Sequence, residues 1–273
     1  MDNFDLSMRE AQRWIDKGRI LIDGKPLRKK SAFLDDEFEV IYFHTYSKNL
    51  LPIFETKDFA IYDKPSGVLI HPSNRLTSYS LTHEIKHRFG KDANITHRLD
   101  KETSGIVIVS KNKKSEKEIK SLFEDRKVKK TYLCYVNGNI KETFIIDEPI
   151  LKNRCFEEIK LKVKIDKNGK SAVTEFKPLS YDPIKNITLL QAIPHTGRQH
   201  QIRVHLFHAG FPIIGDPIYG VDTQIADDYL NKRLSDEERL KLTGANRLML
   251  HANSVEFFYR NRFKIVSKES FIF

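Results

Sequence analysis

His97-Arg98-Leu99-Asp100-Lys101-Glu102-Thr103-Ser104-Gly105 runs directly into Ile106-Val107-Ile108-Val109. The second segment is a short, apolar, β-branched run and reads as a buried strand. Thr103, Ser104 and Gly105 are turn chemistry that aims Asp100 off the end of that strand. Arg98 and Lys101 flank the carboxylate and favour its ionised form. Local chemistry leaves two readings open: an aspartate that caps its own backbone, and one presented to a substrate.

Outward from this stretch, strand patterns recur at 59–63, 68–70, 132–136, 159–165, 173–176, 187–193, 255–259 and 263–266, beside 105–109 itself. Helical patterns are fewer. One opens at Ser115 with Glu118 at capping-box spacing and carries Ile119, Leu122 and Phe123 on one side; a second opens near Ser235 with Glu238 similarly placed and stops at Gly244. A third runs from Arg198 to about Ala209. Strands with interspersed helices predict an α+β fold: a largely antiparallel mixed β-sheet with flanking helices, not a βαβ repeat.

The N-terminal region is organised differently. Ser7 and Glu10 have capping-box spacing, Ala11, Trp14 and Ile15 recur at helical intervals, and Gly18 supplies a stop. Residues 20–27 read as a hairpin turning on Asp23-Gly24. Arg9, Arg13, Lys17 and then Arg28-Lys29-Lys30 give this element its charge, which suits either a solvated face or contact with phosphates. A break over 46–56 divides the chain near Lys48 into a small α/β element, 1–47, and a larger domain, 48–273.

With 273 residues, 40% of them hydrophobic and 18 of them Phe, the chain can bury a sizeable core. A formal net charge of +10 suggests a polyanionic partner, of which nucleic acid is the commonest. Two cysteines, Cys134 and Cys155, make neither a disulfide framework nor a cysteine zinc site, which fits a reducing cytoplasm. Residues 1–6 carry acids and no apolar core, and nowhere do eighteen apolar residues run together. Neither a signal peptide nor a membrane span is expected.

The motif around Asp100 resembles the H-R-L-D-x-x-T-S-G element of the RluA-type pseudouridine synthases, enzymes that isomerise uridine within RNA. Further segments are similar to that family in the same order: Lys64-Pro65-Ser66-Gly67-Val68-Leu69-Ile70-His71-Pro72, Lys130-Thr131-Tyr132-Leu133-Cys134-Tyr135-Val136-Asn137-Gly138, and His195-Thr196-Gly197-Arg198-Gln199-His200-Gln201-Ile202-Arg203-Val204-His205. Gly215-Asp216-Pro217-Ile218-Tyr219-Gly220 and Arg247-Leu248-Met249-Leu250-His251-Ala252 follow. Residues 9–25 are similar to the S4-type RNA-binding module often fused ahead of these synthases, without its usual preceding helix. Ordered matches over roughly 55–255 carry more weight than any one motif.

The resemblance implies a redox-neutral reaction without a cofactor: the C1′–N1 bond breaks, the uracil turns, and C5 joins C1′. It assigns Asp100 as the essential carboxylate, acting by attack at C1′, by addition at C6, or by removal of a ribose proton. Arg203 is the expected cation beside it, with Arg198 as the alternative. Tyr132, by itself only a strand tyrosine, would stack on the base or take the C5 proton. Arg98 would fill the gap left by the extruded uridine, and His97 is a further candidate for RNA contact. Lys64 and His71 flank a turn and suit either backbone contact or plain turn chemistry. The implied partner is RNA, ribosomal before transfer RNA, and the expected state is a cytoplasmic monomer away from membranes.

Two other readings compete. His83-Glu84-Ile85-Lys86-His87 satisfies H-E-x-x-H, the pattern of a zinc hydrolase, although no third ligand follows at the extended spacing; its plainer reading is a solvent-facing helix ending at Gly90. The other is a non-catalytic RNA-binding protein with a degenerate synthase domain, which the presence of Asp100, Tyr132 and Arg203 together argues against.

Overall fold

The computed structural model describes residues 7–31, 37–42, 44–73, 77–152, 159 and 162–273. Two compact units divide the chain, Met1–Tyr46 and Ser47–Phe273. In the first, helix α1 (Met8–Asp16) opens on a reciprocal cap: Glu10 donates its backbone N–H to the Ser7 hydroxyl oxygen, and Ser7 returns its own N–H to the Glu10 carboxylate. Strands β1 (Ile20–Ile22) and β2 (Lys25–Pro26) turn on Asp23 and Gly24, whose φ values of 49° and 72° are those of a type I′ hairpin. Strand β3 (Glu39–Val40) adds to β1.

The second unit is built on a ten-stranded sheet. Its elements in chain order are β4 (Phe54–Glu55), β5 (Phe59–Lys64), α2 (Leu81–Phe89), β6 (Asn94–Ile95), β7 (Ser104–Ser110), α3 (Lys113–Glu124), β8 (Lys129–Asn137) and β9 (Phe144–Asp147). There follow β10 (Ile150–Lys152), β11 (Val163–Ile165), β12 (Val173–Asp182), β13 (Ile187–Pro194), α4 (Gln201–His208), α5 (Thr223–Leu230), α6 (Asp236–Thr243), β14 (Leu250–Tyr259) and β15 (Asn261–Val266). The sheet order is β4-β5-β7-β14-β8-β13-β12-β9, with β6 on β7 and β15 on β14, while β10 and β11 form a separate ribbon. Among the described residues every pairing in this sheet is antiparallel except that of β7 with β14. The expected α+β architecture is the one found.

The unbroken apolar run of β7 has a physical reason. Val107 and Val109 pack with Ala60 and Tyr62 of β5 against Leu81 and Ile85 of α2, whereas Ile106 and Ile108 pack with Phe59 and Ile61 against Ile119 of α3. A strand covered by helices on both faces has no polar side to alternate with. Each such fully buried aliphatic side chain stabilises the unit by about 1.5–3 kcal/mol. On the far side of β14, Cys134, Leu190, Ile202 and Leu206 join β8, β13 and α4 in another core.

Several local expectations are corrected. Residues 68–70 form no strand; the Leu69 and Ile70 carbonyls instead accept the Leu81 and Thr82 N–H groups, satisfying donors at the start of α2. Helix α3 starts earlier than expected, capped by Asn112, whose side chain accepts from Ser115 N, while the Ser115 hydroxyl donates to Asp58 O. Helix α4 begins only after His200, which is left-handed at φ 52°. Helix α2 does end at Gly90, but Leu81 through Ile85 are buried, so it is not a solvent-facing helix. Cys134 is buried in β8, whereas Cys155, residues 160–161 of the strand expected at 159–165, and residues 1–6 lie outside the described residues. Among the described residues no helix is long and apolar enough to cross a membrane.

Candidate active site

The Asp100 loop enters β7 through Gly105, at φ 108°. A Cβ there would fall 2.3 Å from the Ala252 carbonyl oxygen and 2.6 Å from its nitrogen, because β14 runs alongside with Ala252 opposite Gly105. Only a residue without a side chain lets the two strands close here. The turn after β5 braces the same loop from the other side. Ser66 donates its hydroxyl to Glu102 O at 2.6 Å, and Gly67 donates its N–H to Lys101 O at 2.9 Å. Lys64 donates to Pro65 O and Val68 O, each at 2.9 Å, and to Lys101 O at 3.1 Å. Glu102, within the loop, accepts from Arg239 Nη2 at 2.8 Å. Burial works to raise the Glu102 carboxyl, but the Tyr229 hydroxyl and Arg239 outweigh it and hold it below the usual range.

Across from this loop, Arg203 projects from α4 with 2% of its side chain exposed. Its Nε and Nη2 donate to Oδ2 and Oδ1 of Asp216, both at 2.7 Å. This bidentate geometry fixes the guanidinium plane. Asp216 also accepts from Ile218 N at 2.9 Å and Tyr219 N at 3.0 Å. Burial would lower the Arg203 pKa, but Asp216 and then Asp100 reverse this and raise it, so Arg203 is a permanent cation. The remaining nitrogen, Nη1, lies 3.5 Å from Asp100 Oδ2. Asp100 keeps 24% of its side chain open, so a locked, buried cation faces an anion that solvent can reach.

Other groups crowd the same spot. His200 Nε2 lies 3.7 Å from Asp100 Oδ2, and its Nδ1 lies 3.0 Å from the Tyr219 hydroxyl. Burial first and the Arg203 charge next push His200 down to about 4, so the imidazole is neutral at pH 7. Tyr132 on β8 sits opposite Ala192 and Ala252, which leave room for its ring. Burial raises its phenol, and the Asp100 carboxylate raises it further. Arg98 is exposed at the rim, close enough for its charge to lower both His71 and His200.

Of the residues singled out from sequence, Asp100, Arg203 and Tyr132 are brought together, with Arg98 at the edge. Three others are placed elsewhere. Lys64 is 1% exposed with its ammonium committed to three carbonyls, and burial pushes it down to about 7 against the pull of Glu102 and Asp100. It holds a loop by those three bonds. His97 accepts from Ile108 N at 3.0 Å and stacks on Phe123 with ring centroids 4.4 Å apart; burial pushes it down to about 3. That makes it a packing residue on the α3 side. Arg198 donates Nε to Ser171 O at 3.0 Å and precedes α4, so it is not the partner of Asp100. Asp216 and His200 were not singled out as site residues, although both stand inside quoted motifs.

The H-E-x-x-H pattern is accounted for without a metal. Glu84 accepts from the Ser47 hydroxyl, from Lys48 N at 2.8 Å and from the Tyr79 hydroxyl at 2.7 Å. His83 Nδ1 is 2.9 Å from the Ser80 hydroxyl oxygen. Among the described residues no group of three or more His, Cys, Asp or Glu side chains is arranged to hold a metal ion.

Comparison with known proteins gives a consistent set of relatives. The family model described as RNA pseudouridylate synthase matches residues 58–208, and the S4 domain model matches residues 3–40. The chain is 39% identical over 268 residues to an uncharacterised RNA pseudouridine synthase of Helicobacter pylori, covering 97% of this chain and 87% of that one. It is 36% identical over 231 residues to ribosomal large subunit pseudouridine synthase C of Buchnera aphidicola from Acyrthosiphon pisum, covering 82% and 68% of the two chains. In fold it is similar to the solved structure of human RNA pseudouridylate synthase domain containing 1, with a TM-score of 0.64 at 24% identity over 83% of this chain and 86% of that one.

Proposed function

The chain belongs to the RNA pseudouridylate synthase family and carries an S4 domain at its N-terminus, and from that premise we propose that it converts uridines of large-subunit ribosomal RNA to pseudouridine with Asp100 as the essential carboxylate. The observation that carries this reading is the pairing of a quarter-exposed Asp100 with the buried, side-on-anchored Arg203. Isomerisation needs an anion that can reach the nucleoside and stay ionised once the base excludes water. Desolvation alone would protonate it, and a fixed guanidinium opposes that.

In this scheme Asp100 attacks C1′, adds at C6, or removes a ribose proton, and all three use the same exposed carboxylate. Tyr132, close enough to Asp100 for the carboxylate to raise its phenol, stacks on the uracil, and its hydroxyl relays the C5 proton at the end by releasing its own proton to solvent as it accepts the new one. Arg98, at the rim, takes the place vacated by the flipped base. The names of relatives such as the Buchnera enzyme support ribosomal RNA as the substrate. The basic N-terminal element, assigned to 1–47 ahead of a synthase domain at 48–273, adds phosphate contacts. The enzyme works as a cytoplasmic monomer.

Release of tritium from RNA labelled at uridine C5 tests the proposal, using RNA from cells that lack the protein. Wild type should release label and Asp100→Ala should not. Binding of the RNA without release by wild type would refute catalysis and leave a non-catalytic binder.

A further inference from the structure

On the reading that Asp100 is the essential carboxylate, we propose that His200 is its second positioning residue: Tyr219 holds the imidazole in the tautomer that carries its proton on Nε2, and that N–H anchors Oδ2 and leaves Oδ1 as the oxygen turned to substrate. The hydrogen-bond inventory around Tyr219 supports the tautomer. The Tyr219 oxygen accepts from Val163 N at 2.9 Å. Its own proton can go to Val163 O at 3.3 Å or to His200 Nδ1 at 3.0 Å. The imidazole nitrogen is nearer. With Nδ1 accepting, the ring proton sits on Nε2, facing the carboxylate; the other tautomer would set a lone pair against an anion.

Geometry then selects one carboxylate oxygen. Among the described residues the two close contacts to Asp100, from Arg203 Nη1 at 3.5 Å and His200 Nε2 at 3.7 Å, both fall on Oδ2. Catalytic contacts of this length tighten when substrate closes the site. His200 reaches its place through a left-handed backbone at φ 52°, uncommon for a residue with a side chain. The turn is held by Gln201, whose carbonyl accepts from the Thr196 hydroxyl at 2.7 Å and from Arg198 N at 2.9 Å. Strain of this sort persists where surrounding structure imposes it, and here it delivers an N–H to the carboxylate.

Among the described residues the charged and titratable groups facing His200 are Asp100, Arg203, Asp216, Arg98 and Tyr219; those facing Asp100 are Arg203, His200, Tyr132, Tyr219 and Lys64. Nitrogen-15 spectra of the wild-type imidazole should show the Nε2–H tautomer, and finding Nδ1–H would overturn the proposal. That measurement uses no RNA, so it stands apart from the substrate reading. On tritium-labelled RNA, His200→Ala should lower the single-turnover rate about tenfold with half-saturation unchanged, and His200→Gln should recover it. Equal loss in both variants with lowered melting temperatures would reduce His200 to a structural residue.

Discussion

The two charges that meet at the site are held by opposite means. Asp100 is fixed through its backbone, in a loop whose carbonyls are gripped by Lys64, Ser66 and Gly67, and its carboxylate is left partly open. Arg203 is fixed through its side chain, clamped edge-on by Asp216, and is almost wholly buried. An anion that must meet substrate needs a rigid support and a free end, whereas a cation that only tunes it can be sealed in. Removing Asp100 should therefore hurt chemistry without hurting the fold, and disturbing the Arg203 clamp should hurt both.

Asp100→Asn sets the extreme of that contrast. Tritium release should fall to background, while urea unfolding shifts by less than about 1 kcal/mol, because the carboxylate is partly solvated and its contacts with Arg203 and His200 are long, at 3.5 and 3.7 Å. A large stability loss would erase the distinction. Asp216→Ala should cost about 3–5 kcal/mol in the same unfolding experiment, since a buried guanidinium loses its paired anion, and activity should drop with it. If Asp216→Ala unfolds like wild type, the clamp is not what holds Arg203.

Two smaller effects sharpen the comparison. His97 has a folded pKa of about 3 against an ordinary value of 6.5, so between these values the unfolded chain binds a proton that the native one does not. Stability present above pH 6.5 is then lost as pH falls towards 3. His97→Gln should lose less than wild type from pH 6.5 to 4.5, by about 2 kcal/mol, read from urea midpoints; parallel curves would contradict the buried neutral ring. At the bottom of the range, Arg198→Ala should change stability by no more than about 0.5 kcal/mol, with any loss of activity confined to half-saturation by RNA. A fall in the rate at saturation would return Arg198 to the centre of the site.

Much of this is legible in the sequence alone, for specific reasons. Strand β7 announced itself because both its faces are apolar, and α6 because Ser235 and Glu238 form a reciprocal cap. Asp100, Tyr132 and Arg203 stood at recognisable places in motifs. Lys64 suited backbone contact or plain turn chemistry, and the sequence could not choose because its burial depends on a carbonyl 37 positions away. The place of His97 is illegible for the same reason, its partners Ile108 and Phe123 being tertiary neighbours. Asp216 and His200 sat in plain view without roles, because the clamp exists only once the loop after α4 folds back and His200 turns left-handed. Helix α5 lacks a side-chain cap bond and gave no start signal.

Strand β14 has a place in the sheet that reaches beyond packing. It lies between β7 and β8, so it separates the strands that bear the Asp100 loop from those on which α4 and Arg203 rest. Seen this way the molecule is two half-sites and a weld. A growing chain would have made every residue of the candidate site before the weld existed, yet the carboxylate and its guanidinium would have had no fixed distance between them. The distance between carboxylate and guanidinium is set by a strand that follows both of them in sequence, a non-local pairing of the kind that makes sheet proteins slow to fold. A chain stopped before Leu250 should leave both halves open to pulse proteolysis, and resistance to cleavage would show that the halves join without it.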